Sequence, residues 1–169
     1  SDLKFDKVQV KKDSILNIKE LSEGGFLMQV SPRADLDTPV ERVTYEAEAT
    51  ANTLTAGARR ATYSPLHASA GGYVTYVGNG SMLQFNDVRA DRDGDYMLTI
   101  YYITQDQRKA KLLVNGEVLC DPLVFYGNDD MTKTYSPEGM GWKMVPVRLK
   151  AGRNTITIQS YADGWAPNF

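Results

Sequence analysis

At 169 residues the chain is long enough for one well-buried core, or for one domain and a fragment of another. Nineteen Lys and Arg stand against 21 Asp and Glu, a net charge of -2 with no basic stripe, which excludes the clustered cations that nucleic acid demands. No apolar run approaches the roughly 18 residues of a membrane span, no stretch reads as a signal peptide, and a lone Cys120 excludes an intrachain disulfide.

The first 38 residues differ from the rest. In LKFDKVQV, Leu3 and Phe5 share one face and Val8 and Val10 the other, so a strand here needs a break near Asp6-Lys7. ILNIKEL puts Leu16 and Ile18 on one strand face, although the same spacing allows one or two helical turns. GGFLMQV follows as a short strand after the Gly24-Gly25 turn. Three short strands are the minimum for an independent sheet, so residues 1–38 read as a short antiparallel β-segment, the tail of a preceding β-domain. SPRADLDTPVER, residues 31–42, reads as a linker, with the boundary near Pro39 and a second domain over 39–169. The Ser1-Asp2 start reads as that of an excised fragment.

Beyond the linker, period-2 alternation dominates. Tyr96, Leu98, Ile100 and Tyr102 share one face of GDYMLTIYY, and Met97, Thr99 and Tyr101 the other. Ala110, Leu112 and Val114 alternate with Lys109, Lys111 and Leu113, and Ile156 and Ile158 alternate with Thr155, Thr157 and Gln159. Asn115-Gly116 predicts a tight hairpin, because both residues tolerate positive φ. Asp93-Gly94 and Ala151-Gly152 punctuate strands in a similar way. No stretch of ten residues carries a helical period. The expected class is all-β, with strands spaced as in a sandwich.

The order of motifs resembles a family 35 carbohydrate-binding module, in the wider group that includes family 6. The carriers are YEAEA (45–49), GGYVTYVGNG (71–80), GDYMLTIYY (94–102), VNGE (114–117), Trp142, LKAGRNTITI (149–158) and the closing GWAPNF, essentially everything after the linker. The resemblance implies a jelly-roll β-sandwich, a structural calcium near the E-A-E segment, and loops that bind an oligo- or polysaccharide. It also implies a covalently linked catalytic domain, that of a secreted bacterial glycoside hydrolase, with a secreted, periplasmic or cell-surface location. The N-terminal strands resemble the end of the β-domain that follows the barrel in α-galactosidase-like enzymes. The family's pattern places an aspartate, which helps to hold the metal, just after the A-P-N segment; this sequence has Phe169 after Asn168 and stops there.

Glu46 and Glu48, two apart on an expected strand, point to one face. Such a pair repels unless a cation separates the carboxylates, and calcium with oxygen ligands is a natural solution, with carbonyls around Ser69 to Gly72 adding neutral donors. The plainer reading is two solvated glutamates. As a glycosidase acid–base pair they would need a cleft and an acid of raised pKa, and nothing in the sequence supplies either.

Sugars are held by rings that pack on their apolar C–H faces and by polar groups that meet their hydroxyls. The candidate rings are Tyr73, Tyr76, Trp142, Tyr161 and Trp165, with Asn79, Asp163 and Asn168 as polar partners. Trp165 lies in a loop-like GWAPN with no evident reason to bury it, whereas Trp142 reads equally well as a core plug. His67 has no partner cluster, and Cys120 reads as a small hydrophobe. No G-x-S-x-G pattern occurs. The expected function is a non-catalytic glycan-binding module. The competing reading is a structural or protein-interaction sandwich, in which Trp142 and Trp165 are both buried.

Overall fold

The computed structural model describes residues 42–127 and 133–169. Packing divides the chain into two units, Ser1–Val43 and Thr44–Phe169. The strands expected within residues 1–38 and the boundary near Pro39 lie outside the described residues.

Alternating sequence builds nine strands among the described residues: β1 (Thr53–Leu54), β2 (Arg59–Ala61), β3 (Tyr73–Thr75), β4 (Met82–Ala90), β5 (Gly94–Ile103), β6 (Arg108–Val114), β7 (Glu117–Phe125), β8 (Met140–Leu149) and β9 (Gly152–Gln159). The only helical pieces there are 3-10 turns at Ser64–Leu66 and Pro137–Gly139. One layer is a five-stranded antiparallel sheet in the order β1-β4-β9-β6-β7. The β6–β7 hairpin turns at Asn115 (φ 52°) and Gly116 (φ 83°), the left-handed pair that the Asn-Gly dipeptide predicts.

The opposite layer holds two ladders, β2–β3 and β5–β8. They are joined by a segment that the sequence presents as a loop. Ala166 donates to the carbonyl of Val77 (2.8 Å), Phe169 to that of Val74 (2.9 Å), and Asn168 exchanges bonds with Ile103 in both directions (3.0 and 2.9 Å). The closing A-P-N-F run is therefore a strand-like bridge between β3 and β5. Its Pro167 hides the pattern, because a residue without an N–H reads as a breaker.

The core lies between the layers, and the burial periods match the alternation. Ile100 and Tyr102 of β5, Ala110, Leu112 and Val114 of β6, and Ile156 and Ile158 of β9 all face inward. Phe125, fully buried, meets Tyr102 edge-on at 4.9 Å between centroids and Phe169 at 5.8 Å. Burying a ring of this size contributes about 1.5–3 kcal/mol. At the rim, buried Asn154 replaces missing ladder bonds. Its Oδ1 accepts from the Lys150 N–H (3.0 Å) and the Asn115 amide (2.8 Å), while its Nδ2 donates to the Lys150 carbonyl (2.8 Å).

The expected strand through YEAEA is not formed. Residues 46–52 curl into successive turns, with Ala49 donating to the Glu46 carbonyl (3.2 Å) and Asn52 to that of Ala49 (3.0 Å). Side chains take the carbonyls that a ladder would have used. The Asn52 amide donates to Glu46 and Ala47, and Arg60 donates to the carbonyls of Glu48, Ala49 and Asn52. Both donors lie outside the motif, and so its own alternation was misleading.

Candidate functional site

After β3 the chain folds back through left-handed residues Tyr76 (φ 60°), Asn79 (φ 55°) and Gly80 (φ 82°). Such conformations suit Asn and Gly, and they turn the rim of the sheet outward. Gly78 sits inside this curl, with its N–H donating to Ser81 Oγ (2.8 Å). A second turn, 161–164, closes against it. Asn79 donates to the Gly164 carbonyl (3.0 Å) and Gly80 to that of Tyr161 (2.9 Å). Asn79, Tyr161 and Trp165, far apart in sequence, are thereby brought to one rim.

Trp165 rests on Gly78. A Cβ on that glycine would stand 2.2 Å from Cε3 of the indole, so no other residue leaves the ring in place. Tyr76 meets Trp165 edge-on at 6.0 Å, and the Arg59 guanidinium caps the Tyr76 ring at 4.0 Å. On the other side of Trp165 opens a cleft of about 560 Å³, lined by Tyr161, Asp163, Pro122, Arg108 and Lys109 among others. Arg108 is held by Asp106 (2.8 Å) and by the Ala166 carbonyl (3.1 Å), and its hydrogen bond holds the Asp106 carboxyl below its usual range.

The Tyr161 hydroxyl donates to Asp121, a bond that pushes its pKa up to about 12. The same bond, with Lys111 at 3.1 Å, lowers the pKa of Asp121. Tyr161 therefore offers its ring to the cleft, while its hydroxyl is tethered.

A second cluster adjoins the first. Tyr63 and Tyr135 meet edge-on at 6.1 Å, and the buried Asn168 donates its amide to the Tyr135 hydroxyl (3.1 Å). Tyr73 lies among them. Burial raises its pKa first, then the phenols of Tyr135, Tyr76 and Tyr63, with Arg59 opposing. Tyr73 and Arg59 thus link the two clusters into one aromatic surface. Tyr63, Tyr76, Tyr135 and Trp165 are each between 44% and 49% exposed. Beside Tyr63 lies a recess of about 760 Å³ that His67, itself exposed, helps to line.

Sequence reasoning missed Tyr63, Tyr135, Arg59 and Arg108. Tyr63 carried the signal that marked Trp165, a large ring in a Pro-containing loop. The arginines carried none, since their place follows from strand pairing. Trp142 stands apart from both clusters, on the face of β8 opposite Tyr101 of β5. Both tryptophans are exposed, contrary to what a purely structural sandwich requires.

Glu46 and Glu48 occupy the turn described above, bordering the start of β3. Glu46 Oε2 accepts from Ser69 Oγ at 2.6 Å. The Glu48 chain packs on Gly72, where a Cβ would stand 2.8 Å from its Cγ. Glu48 Oε1 is buried without a hydrogen-bond partner. A buried carboxylate oxygen without a donor is costly, and a cation satisfies it. No group of three His, Cys, Asp or Glu that could hold a metal occurs among the described residues. The Glu46 and Glu48 carboxylates and the Ser69 hydroxyl are hard oxygen donors, the kind that calcium takes.

Comparison with known proteins accords with this geometry. The family model of carbohydrate binding module family 35 matches residues 43–167. No curated protein sequence matches significantly. Among solved structures, the chain is similar to a family 35 carbohydrate binding module from Clostridium thermocellum, with 30% identity and a TM-score of 0.60 over 73% of this chain and 91% of that one. It is similar to a module of the same family from Paenibacillus barcinonensis, with 28% identity and a TM-score of 0.62 over 75% and 93% of the two chains. It shares its fold with part of an exo-β-1,3-galactanase from Phanerochaete chrysosporium solved with β-1,3-galactotriose, at 22% identity and a TM-score of 0.57, covering 73% of this chain and 27% of that one.

Proposed function

The chain belongs to carbohydrate-binding module family 35, a family of non-catalytic sugar-binding modules, and from that premise we propose that the aromatic rim around Trp165 holds the glycan. The observation that carries this is the indole of Trp165 seated on Gly78 and flanked by Tyr76, a ring held in place and left open to solvent. A pyranose stacks its C–H face on such a ring. Asn79, Asp163 and Tyr73 supply polar atoms around it, and Arg59 adds a cation beside the rings. A neutral or mildly acidic sugar suits this mixture. Preorganisation supports affinity here, because the glycine seat, the Tyr161 tether and the Arg108 contacts order the rim before binding.

Calcium is the metal that Glu46 and Glu48 would hold, with oxygens near Ser69 completing the set. Bound there, it would neutralise the carboxylate pair and brace the turn that precedes β3.

The module serves a secreted bacterial glycoside hydrolase, α-galactosidase-like on the character of residues 1–38, by keeping a linked catalytic domain near its polymer. Tethering raises effective concentration without any new catalytic contact. That a domain of this fold makes up 27% of the galactanase chain supports the arrangement.

The test is a glycan array probed with the purified chain and with Trp165→Ala, each with calcium and with chelator. The expected result is calcium-dependent binding by the first and its loss in the second, with both folded. Equal signal from both would remove Trp165 from the site.

A further inference from the structure

The turn that carries Glu46 and Glu48 is clamped by a side chain from outside it. Arg60 stands in β2 directly opposite Val74 of β3, so the ladder fixes its backbone. From there its Nε donates to the Glu48 carbonyl (2.6 Å), and its Nη2 to the carbonyls of Ala49 (2.9 Å) and Asn52 (3.0 Å). Asn52 completes the clamp, its amide donating to the carbonyls of Glu46 (2.8 Å) and Ala47 (3.0 Å). Arg60 is exposed and makes no ion pair among the described residues, so neither core packing nor a salt bridge accounts for it. A guanidinium can hold several acceptors at once because its five N–H donors are fixed in one plane.

The other side of the turn is seated beside β3. The Glu48 chain packs on Gly72, where a Cβ would stand 2.8 Å from its Cγ, and Ser69 Oγ donates to Glu46 Oε2 at 2.6 Å. The main chain of Glu48 is thus gripped from β2 while its side chain rests next to β3. Between these two holds, Glu48 Oε1 is buried without a hydrogen-bond partner. Releasing the carbonyl would let the residue turn about its backbone and carry the carboxylate off this seat.

Resting on the calcium reading above, we propose that Arg60 is a positioning residue of the metal site, fixing the direction in which Glu48 presents its carboxylate. A guanidinium has no acceptor atom and cannot itself ligate an ion. Its charge acts the other way. A positive group bonded to the Glu48 carbonyl stands close to the carboxylate pair, and it repels a second cation. Loss of that charge alone would tighten calcium. Loss of the fork loosens it, because the carboxylates no longer share one orientation. The sign of the change separates the two effects.

The experiment is calorimetric titration of calcium chloride into the purified chain, stripped with chelator, and into Arg60→Lys, Arg60→Gln and Glu48→Gln. Each protein is also melted in chelator. The expected result is calcium bound by the wild type, no binding by Glu48→Gln, and affinity lowered about ten- to a hundredfold in both Arg60 variants. That is the usual cost of losing a group that orients a metal ligand. Arg60→Lys keeps the charge and the aliphatic stem without the planar fork, and it carries the test if Arg60→Gln fails to fold. A clamp that serves only the fold would lower the melting temperature in chelator and leave the calcium affinity of the folded variants unchanged. That result, or tighter binding, overturns the proposal and leaves the calcium reading standing. A wild-type chain that binds no calcium overturns the reading itself.

Discussion

The six-membered ring of Trp165 occupies the space in which a side chain on Gly78 would stand, with Cε3, Cδ2 and Cζ3 all within 2.6 Å of that position. One glycine thereby determines where the exposed indole can lie. Gly78→Ala is expected to move the ring and weaken glycan binding by about tenfold or more, because misplacing one aromatic anchor costs on that scale. The accompanying loss of stability should be about 1–3 kcal/mol, the usual range for overpacking. Calorimetric titration and thermal melting separate the two effects, and unchanged binding would sink the assignment.

The orphaned Glu48 Oε1 yields a second expectation. Calcium should raise Tm by several degrees, since a ligand bound only by the native state stabilises it by about 2.7 kcal/mol at a hundredfold excess over Kd. Chelator should reverse the rise. Glu48→Gln should abolish the response to calcium while leaving the melting curve in chelator nearly unchanged. A shift of equal size in that variant would put the cation elsewhere.

Tyr161 and Asp121 share a proton-sensitive bond whose two ends give opposite signs. The folded pKa of Tyr161, about 12, lies above its ordinary value near 10. Its contribution is full below pH ~10 and is lost as pH rises through the folded value. Asp121 is depressed, so its contribution is present above the ordinary carboxylate range and is lost as pH falls through the lowered pKa. Asp121→Asn should return one tyrosine in an ultraviolet titration toward 10. A titration curve identical to the wild type would show that the tether is not made in solution.

Asn154→Ala leaves the Lys150 N–H and the Asn115 amide without their acceptor at a buried rim. The expected cost is about 2–3 kcal/mol. It should appear in urea unfolding as a lower midpoint with unchanged slope. Glycan affinity should not change, because Asn154 touches neither aromatic cluster. An undiminished midpoint would mean that water replaces both bonds at no cost.

Much of the fold was legible in the residues themselves. The alternation in GDYMLTIYY, KAKLLV and NTITIQS marked both the strands and the faces that they bury, because side-chain direction in a strand repeats every two residues. Asn115-Gly116 marked its hairpin through a backbone preference that only local chemistry sets. The exposure of Trp165 was legible for the same local reason, a loop-like setting that had no core face to fill. The motif order also carried the family.

Tertiary structure decided what depends on partners distant in sequence. The A-P-N-F run becomes a bridge between β3 and β5 only because Val74 and Ile103 present free backbone groups on either side of it. YEAEA, strand-like by pattern, is bent into a turn by the side chains of Asn52 and Arg60. Trp142 could be read as core or surface until its pairing with Tyr101 placed it outside. Tyr63 and Tyr135 had no sequence signal that linked them to Asn168. Local preference is written in neighbouring residues, whereas pairing across the sandwich comes from long-range closure, which no short window of sequence contains.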